Sequence, residues 1–136
     1  MAGHVYNRDF PLQYQDRRSN PISLFDAPTI RKLDKQSRIV AKHLQAVSRG
    51  IDFIVLWLDC DKEGENICFE VLDICRHNIA YSKRQRVFRA KFSSIAKKDI
   101  QAAFDGLKLE PNYYESVSVD ARQVMDLKIG VAFSRF

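Results

Sequence analysis

The chain has 136 residues, 46% of them hydrophobic and 11% aromatic, which is enough apolar side chain for one packed domain. Its formal net charge of +5 favours an anionic partner, although ordinary soluble domains are often as basic, and its three cysteines form no CxxC pair, which predicts free thiols in a reducing compartment. No run approaches the roughly 20 apolar residues of a membrane span, and no signal-peptide core follows the first methionine, so we expect a soluble intracellular protein without a membrane partner.

The first third of the chain predicts an irregular connection followed by one helix. Residues 9–28 hold three of the four prolines and little periodicity, which is typical of a long loop. Over residues 34–48 the apolar side chains recur at helical spacing, and Gly50 stands where a C-terminal cap belongs. Both chain ends read as cut, because Gly3 leads directly into a pattern typical of a strand end and Phe136 interrupts a helical pattern. We therefore expect a piece of a longer protein.

The middle of the chain predicts a strand, a tight turn and a helix. Residues 53–58 are a continuous apolar run, which favours a central strand of a parallel sheet with helices on both faces. Residues 65–77 show a broad apolar face at helical spacing, so the chain is expected to turn from strand to helix around Gly64. The predicted unit is β, turn, α.

A second strand and two further helices are predicted after this unit. Residues 86–92 alternate in a way that points Phe88, Ala90 and Phe92 to the core and Arg89 and Lys91 away from it. A serine at position 93 or 94 is expected to cap a helix that ends at Gly106. Asn112 then begins a helix that runs to the chain end. The basic cluster at 83–86 is interpreted first as a solvated loop and second as a phosphate contact.

An acidic turn follows the first predicted strand. Asp59 and Asp61 are two residues apart in extended chain, so their side chains point to the same side, and Glu63 can reach the same space. Two such charges about 6 Å apart repel by roughly 3 kcal/mol at an effective dielectric constant near 20, so the turn requires a counter-cation. The oxygen-only ligand set favours Mg²⁺, with Mn²⁺ as the alternative, over zinc. A solvated acidic loop is the competing interpretation.

The turn also resembles a known family. Its sequence DCDKEGENICFE, residues 59–70, is similar to the Toprim acidic motif of type IA DNA topoisomerases, closest to the eukaryotic topoisomerase III-beta branch, with Lys62 where most type IA enzymes have arginine. The resemblance extends over nearly the whole chain. The other segments that carry it are GHV at 3–5 with DF at 9–10, LF at 24–25 with APT at 27–29, FRAKFSSI at 88–95, and SVDARQ at 118–123 through DL at 126–127 to AF at 132–133.

The resemblance implies a fold and a reaction. It implies an α/β Toprim fold, a parallel sheet flanked by helices but lacking its first strand, over residues 1–94, followed by the truncated beginning of the next topoisomerase domain over 95–136. The full-length enzyme would be an isomerase that cuts, passes and reseals single strands to relax negatively supercoiled DNA, without ATP. The family's first-strand glutamate would precede this chain, and the catalytic tyrosine belongs to a later domain. We therefore expect the fragment alone to be inactive.

The resemblance also implies roles for individual residues. Asp59, Asp61 and Glu63 would hold the metal and carry the catalysis. The partner would be single-stranded DNA, with RNA as a second candidate, and the location the nucleus, with the cytoplasm as the alternative. Two other classes stay open: a primase or nuclease that shares only the acidic turn, and a non-catalytic, Mg²⁺-binding receiver-like domain. The residues implied in DNA binding are Lys62, Arg122, Asp126 and His4.

Overall fold

A computed structural model describes residues 3–16, 18, 20–78 and 87–136, with Leu109 described by its backbone only; the cluster at 83–86 lies outside these residues. No described helix is both long enough and apolar enough to cross a membrane. Two short 3-10 helices, Leu12–Tyr14 and Pro21–Leu24, accompany the main elements. These are β1 Asn7–Asp9, β2 Ile30–Lys32, α1 Lys35–Val47, β3 Ile54–Leu56, α2 Lys62–Cys75, β4 Val87–Arg89, α3 Lys97–Asp105, β5 Lys108–Leu109 and α4 Tyr113–Arg135.

The strands form two small sheets. β3 pairs with β4 in parallel, and β4 pairs with β5 in antiparallel, in the order β3-β4-β5. β1 and β2 form a separate antiparallel pair. A parallel pair needs a crossover connection, and α2 lies in the crossover between β3 and β4. The predicted α/β class, with a parallel sheet flanked by helices, is confirmed.

β3 lies at the edge of the described sheet rather than at its centre. The strand is shorter than the predicted run, and Phe53 and Val55 are 61% and 37% exposed. An open cavity of about 390 Å³ runs along this edge. Its lining is mostly apolar and comes from the end of α1, from β3 and from α2, including Leu44 and Val71. The apolar run therefore faces a groove that no described residue covers.

The helices begin where the sequence places capping side chains. The Asp34 carboxylate accepts a hydrogen bond from the Ser37 N–H and starts α1, and the Asn112 side chain accepts from the N–H groups of Tyr114 and Glu115 and starts α4. α3 ends at Gly106 as predicted. Its start differs, because Ala96 precedes the first helical residue. The Ser94 hydroxyl instead donates to the Asp99 carboxylate within the helix.

α2 lies between α1 and α4 and has a largely polar buried face. Its buried residues include Glu65, Asn66 and Glu70 beside Cys68 and Cys75. Apolar packing is concentrated on either side of this helix. One cluster joins the second 3-10 helix to α4, and the other joins the N-terminal segment to α1 and α2. The buried members of the two clusters are Phe10, Leu24, Ala27 and Ala132 in the first, and Val5, Ala41 and Ile74 in the second.

All three cysteines are free thiols, as predicted. Cys68 and Cys75 are buried, and burial raises the pKa of the Cys68 thiol to about 12. Cys60 is exposed in the acidic turn, where its sulfur bridges the N–H and the carbonyl oxygen of Phe92. The thiol of the turn is thus anchored to the segment that follows β4.

Candidate metal centre

The acidic turn is held close to the start of α2 by a capping hydrogen bond and by a close backbone contact. The Asp61 carboxylate accepts a hydrogen bond from the Gly64 N–H at 2.7 Å, which makes Asp61 the N-cap of the helix. A Cβ on Gly64 would lie 2.0 Å from the carbonyl oxygen of Asp59, so only glycine fits at this position. The turn therefore holds Asp59 and Asp61 at the carboxyl end of β3, immediately before the helix N-terminus.

Glu63 is engaged by two residues from distant parts of the chain. Its Oε2 lies 2.7 Å from Nε2 of His4, and its Oε1 is paired with the Arg122 guanidinium. In the part of the chain that the structure describes, no three His, Cys, Asp or Glu side chains lie close enough together to hold a metal ion. The three carboxylates of the turn are thus not assembled in this arrangement. Their assignment as metal ligands stays a prediction.

Asp59 and Asp61 nevertheless retain oxygen atoms that suit a hard cation. Both residues are exposed, and the Asp59 carboxylate makes no hydrogen bond or ion pair with any described residue. Asp61 uses only Oδ1 to cap the helix. Mg²⁺ is usually bound by one or two protein carboxylates together with water and substrate phosphates. The donor set therefore fits such an ion through Asp59 and Asp61, with Glu63 occupied elsewhere.

His4 lies between two carboxylates. Its Nδ1 is 3.2 Å from Oε1 of Glu70, whose Oε2 accepts a hydrogen bond from the Val5 N–H, and its Nε2 contacts Glu63. The hydrogen bond with Glu70 raises the pKa of His4, burial opposes this, and the bond with Glu63 raises the pKa further, so the net direction is upward. The protonated ring donates from both nitrogens and ties the N-terminal segment to α2.

The raised pKa of His4 predicts that the metal-free chain becomes less stable as the pH rises. The folded state binds the imidazole proton more tightly than the unfolded state, so the contribution is complete below about pH 6.5 and disappears as the pH passes through the folded pKa. Urea denaturation with a chelator, at about pH 6 and about pH 8.5, measures this loss. The decrease in the free energy of unfolding between these two pH values should be smaller in His4→Gln than in the wild type. An equal loss in both proteins would contradict the assignment.

The other predicted DNA-binding residues lie near Glu63. Lys62 is the exposed first residue of α2 and has no ion pair with another described residue. Arg122 is 60% exposed, and besides Glu63 it lies 3.9 Å from Asp126, one turn further along α4. The two cations and the exposed acids of the turn therefore lie around one helix N-terminus. Their contact with DNA stays a prediction.

The prediction that Arg89 points away from the core is wrong. Its side chain is completely buried, and its Nε donates to Oε1 of Glu65 at 3.0 Å. Oε2 of Glu65 accepts from the Asn112 N–H at 2.7 Å. Burial alone would raise the pKa of Glu65, but the bond from Asn112 and the charge of Arg89 outweigh it and lower the pKa. Strand alternation cannot detect such a pair. The signal available in the sequence was Glu65, the acid directly after Gly64, because a carboxylate buried in a helix requires a cationic partner.

A second ionic cluster fixes α4 against the antiparallel pair of β1 and β2. Asp120 accepts hydrogen bonds from Arg8 and Arg31, each at 2.8 Å. Burial would raise the pKa of Asp120, but these two arginines lower it. The Asn66 amide nitrogen donates to Ser116 and lies 3.4 Å from Asp120, while its oxygen is buried without a hydrogen-bond partner among the described residues. The cluster aligns the helix that carries Arg122.

A parallel strand followed by a tight acidic turn and a helix N-terminus defines an α/β ligand-binding site. The chain belongs to the Toprim domain family, whose model matches residues 1–95. It is 52% identical to DNA topoisomerase 3-beta of Arabidopsis thaliana and 50% identical to DNA topoisomerase 3-beta-1 of Homo sapiens, over its whole length. It spans 16% of the length of these relatives.

A solved structure supports the same fold. Full-length topoisomerase I of Thermotoga maritima matches 94% of the chain and 19% of that protein, with a TM-score of 0.59 at 20% identity. The predicted resemblance to the Toprim region of type IA topoisomerases, closest to topoisomerase III-beta, is confirmed. Toprim domains bind divalent metal ions, so the prediction of a divalent metal ion is confirmed, while its identity as Mg²⁺ or Mn²⁺ stays a prediction. The domain boundary at residue 94 stays a prediction.

Proposed function

We propose that this chain is the metal-binding part of a type IA DNA topoisomerase III. The full-length enzyme would cut one strand, pass another and reseal the first, and so relax negatively supercoiled DNA. The observation that carries the proposal is the pair of exposed carboxylates, Asp59 and Asp61, at the end of a parallel strand and directly before a helix N-terminus. Membership of the Toprim family and the similarity to DNA topoisomerases 3-beta support it.

The residues of the turn would prepare the scissile phosphate for attack by the tyrosine of a later domain. Asp59 and Asp61 would hold Mg²⁺, with Mn²⁺ as the alternative. The bound ion would neutralise charge on the phosphate and the leaving oxygen. Asp61 caps only the Gly64 N–H, so the first N–H groups of α2 and the positive end of its dipole are available to a phosphate.

The cations beside the turn would guide the nucleic acid. Lys62 and Arg122 are exposed and suit contacts with the phosphate backbone, while Asp126 lies beside Arg122 and His4 holds Glu63. The partner would be single-stranded DNA, with RNA as a second candidate. The location we assign, on resemblance to the eukaryotic branch alone, is the nucleus, with the cytoplasm as the alternative. Transesterification conserves bond energy, so no ATP is required.

The competing classes are less well supported. A primase or nuclease would share the acidic turn alone, whereas identity with the topoisomerases extends over the whole chain, including the residues after 95. A receiver-like domain would place its acids on separate strands, whereas Asp59 and Asp61 follow a single strand here. Alone, the chain is expected to be inactive, because the reaction requires the tyrosine of a later domain.

Substituting Asp61→Asn tests the metal assignment. Asparagine caps helices as well as aspartate does, so the fold should persist while Mg²⁺ binding is lost. Wild-type affinity should be in the millimolar range, ~4 kcal/mol, because the substrate phosphate is missing from the isolated chain. Thermal melting with and without Mg²⁺, together with NMR titration of the turn amides, measures the effect.

Asp26→Asn is the matched control, because it removes the same charge from an exposed position in the loop after the second 3-10 helix. The control should gain as much stability from Mg²⁺ as the wild type, and Asp61→Asn should gain none. If Asp61→Asn gains as much as the control, the ion binds elsewhere and the proposal fails.

A further inference from the structure

The buried Arg89 connects the strand end to the acidic turn. We infer that Arg89, held by Glu65, is a positioning residue that fixes the Asp59 peptide and so sets the geometry in which the turn receives its ion. The inference rests on the proposed function and extends it to two side chains that lie inside the fold, behind the exposed carboxylates.

The Arg89 guanidinium is bonded on every nitrogen. Its Nη2 donates to the Asp59 carbonyl oxygen at 2.7 Å, and its Nη1 donates to the Leu58 and Ala90 carbonyl oxygens at 2.9 and 2.7 Å. Its Nε is used by Glu65. The group therefore bridges the chain after β3 and the chain after β4 at the point where the acidic turn begins. A planar fork with five donors can do this, whereas a single ammonium cannot reach the same acceptors together.

The Asp59 peptide is held from two sides. On one side its carbonyl oxygen accepts from Arg89, and on the other it lies against Gly64, where a Cβ would approach it to 2.0 Å. Rotation of this peptide would change the direction of the Asp59 side chain relative to Asp61. Because metal sites tolerate only small displacements of their ligands, the bond from Arg89 bears on metal affinity as well as on stability.

Glu65 holds the guanidinium in the required orientation. Its Oε1 accepts from Arg89 and lies 3.3 Å from Nζ of Lys91, and its Oε2 accepts from the Asn112 N–H at the start of α4. Glu65 is 1% exposed, so solvent does not compete for these bonds. The pair thus connects the acidic turn to the helix that carries Arg122.

Arg89→Lys in the 136-residue chain tests the inference. The substitution keeps the positive charge but loses the planar set of guanidinium donors. Mg²⁺ affinity, measured by NMR titration of the turn amides, should therefore fall by about tenfold or more. Glu65→Gln keeps the shape of the partner and should weaken binding by a smaller factor. Should Arg89→Lys not fold, Glu65→Gln decides the question.

Leu24→Ala is the control for a merely structural effect. Leu24 is fully buried in the cluster with Phe10, Ala27 and Ala132, which contains no residue of the turn. At a temperature where all variants are folded, it should bind Mg²⁺ as the wild type does. Arg89→Lys binding with wild-type affinity, or losing no more affinity than Leu24→Ala, would overturn the inference.

The outcomes separate the two claims. If the wild type shows no Mg²⁺-dependent change at the turn, or Asp61→Asn binds as the wild type does, the proposed function fails and the inference with it. If Asp61→Asn abolishes binding while Arg89→Lys and Glu65→Gln leave it unchanged, the metal site stands and the inference alone is wrong.

Discussion

Gly64→Ala is expected to destabilise the fold by about 3 kcal/mol or more, an effect at the upper end for an overpacked site. The added methyl would approach the Asp59 carbonyl oxygen to 2.0 Å and the Asp61 carboxylate to 3.3 Å, and the first of these is a backbone atom that Arg89 also holds. Relief would require the acidic turn to move away from α2. The free energy of unfolding from urea denaturation measures the loss.

Gly130→Ala is the matched control, because it makes the same substitution in the interior of another helix. Apart from its chain neighbours and the backbone of its own helix, no described atom lies within 4 Å of the added Cβ. The variant should therefore gain about 0.5–1 kcal/mol from the lower flexibility of its unfolded state and the better helix propensity of alanine. Equal effects at the two glycines would show that the contact with Asp59 does not control the turn.

Glu65→Ala is expected to cost about 3–5 kcal/mol, because it leaves the Arg89 guanidinium buried without its counter-charge. The double variant Glu65→Met with Arg89→Met should lose less than the sum of the two single substitutions, since an apolar pair removes both buried charges together. It should not regain wild-type stability, because the carbonyl oxygens of Leu58 and Asp59 lose their donor. Urea denaturation of the wild type, Glu65→Met, Arg89→Met and the double variant completes the cycle, and Glu65→Ala is measured beside them.

An exposed ion pair is the comparison for this cycle. Lys32 lies 3.3 Å from Asp9 with half of its side chain exposed, and Lys32→Ala should cost no more than about 0.5 kcal/mol. Additive losses at Glu65 and Arg89 would mean that the two side chains do not act as a pair, and the buried network would lose its proposed role.

Local patterns predicted the helices and the βα unit well, because caps and periodicity act over a few residues. The helix predicted over residues 34–48 is α1, Asn112 starts α4 as the sequence indicated, and Gly106 ends α3. The antiparallel pair of β1 and β2 was missed, since three-residue strands are too short to establish an alternation. The edge position of β3 was also missed. An apolar run shows that a strand is suited to burial on both faces, but it does not show which described residues pack against it.

The candidate site was predictable only in part for a similar reason. The spacing of Asp59 and Asp61 places both on one turn, and the structure agrees that both are exposed there. The engagement of Glu63 depends on His4 and Arg122, each 59 residues away along the chain, and local spacing carries no information about such partners. Arg89 was misassigned because alternation describes the two faces of a strand and ignores a charged partner that arrives from another element.

The edge of β3 that no described strand covers also affects how the purified chain behaves at high concentration. Unpaired backbone groups on a strand edge can pair with another molecule. Burial of the apolar groove beside them would favour the same association. Self-association through this edge would broaden NMR signals and make melting temperatures depend on protein concentration. Metal titrations should therefore use dilute samples, or a variant with a charged residue in place of the exposed Val55, so that self-association does not obscure metal binding.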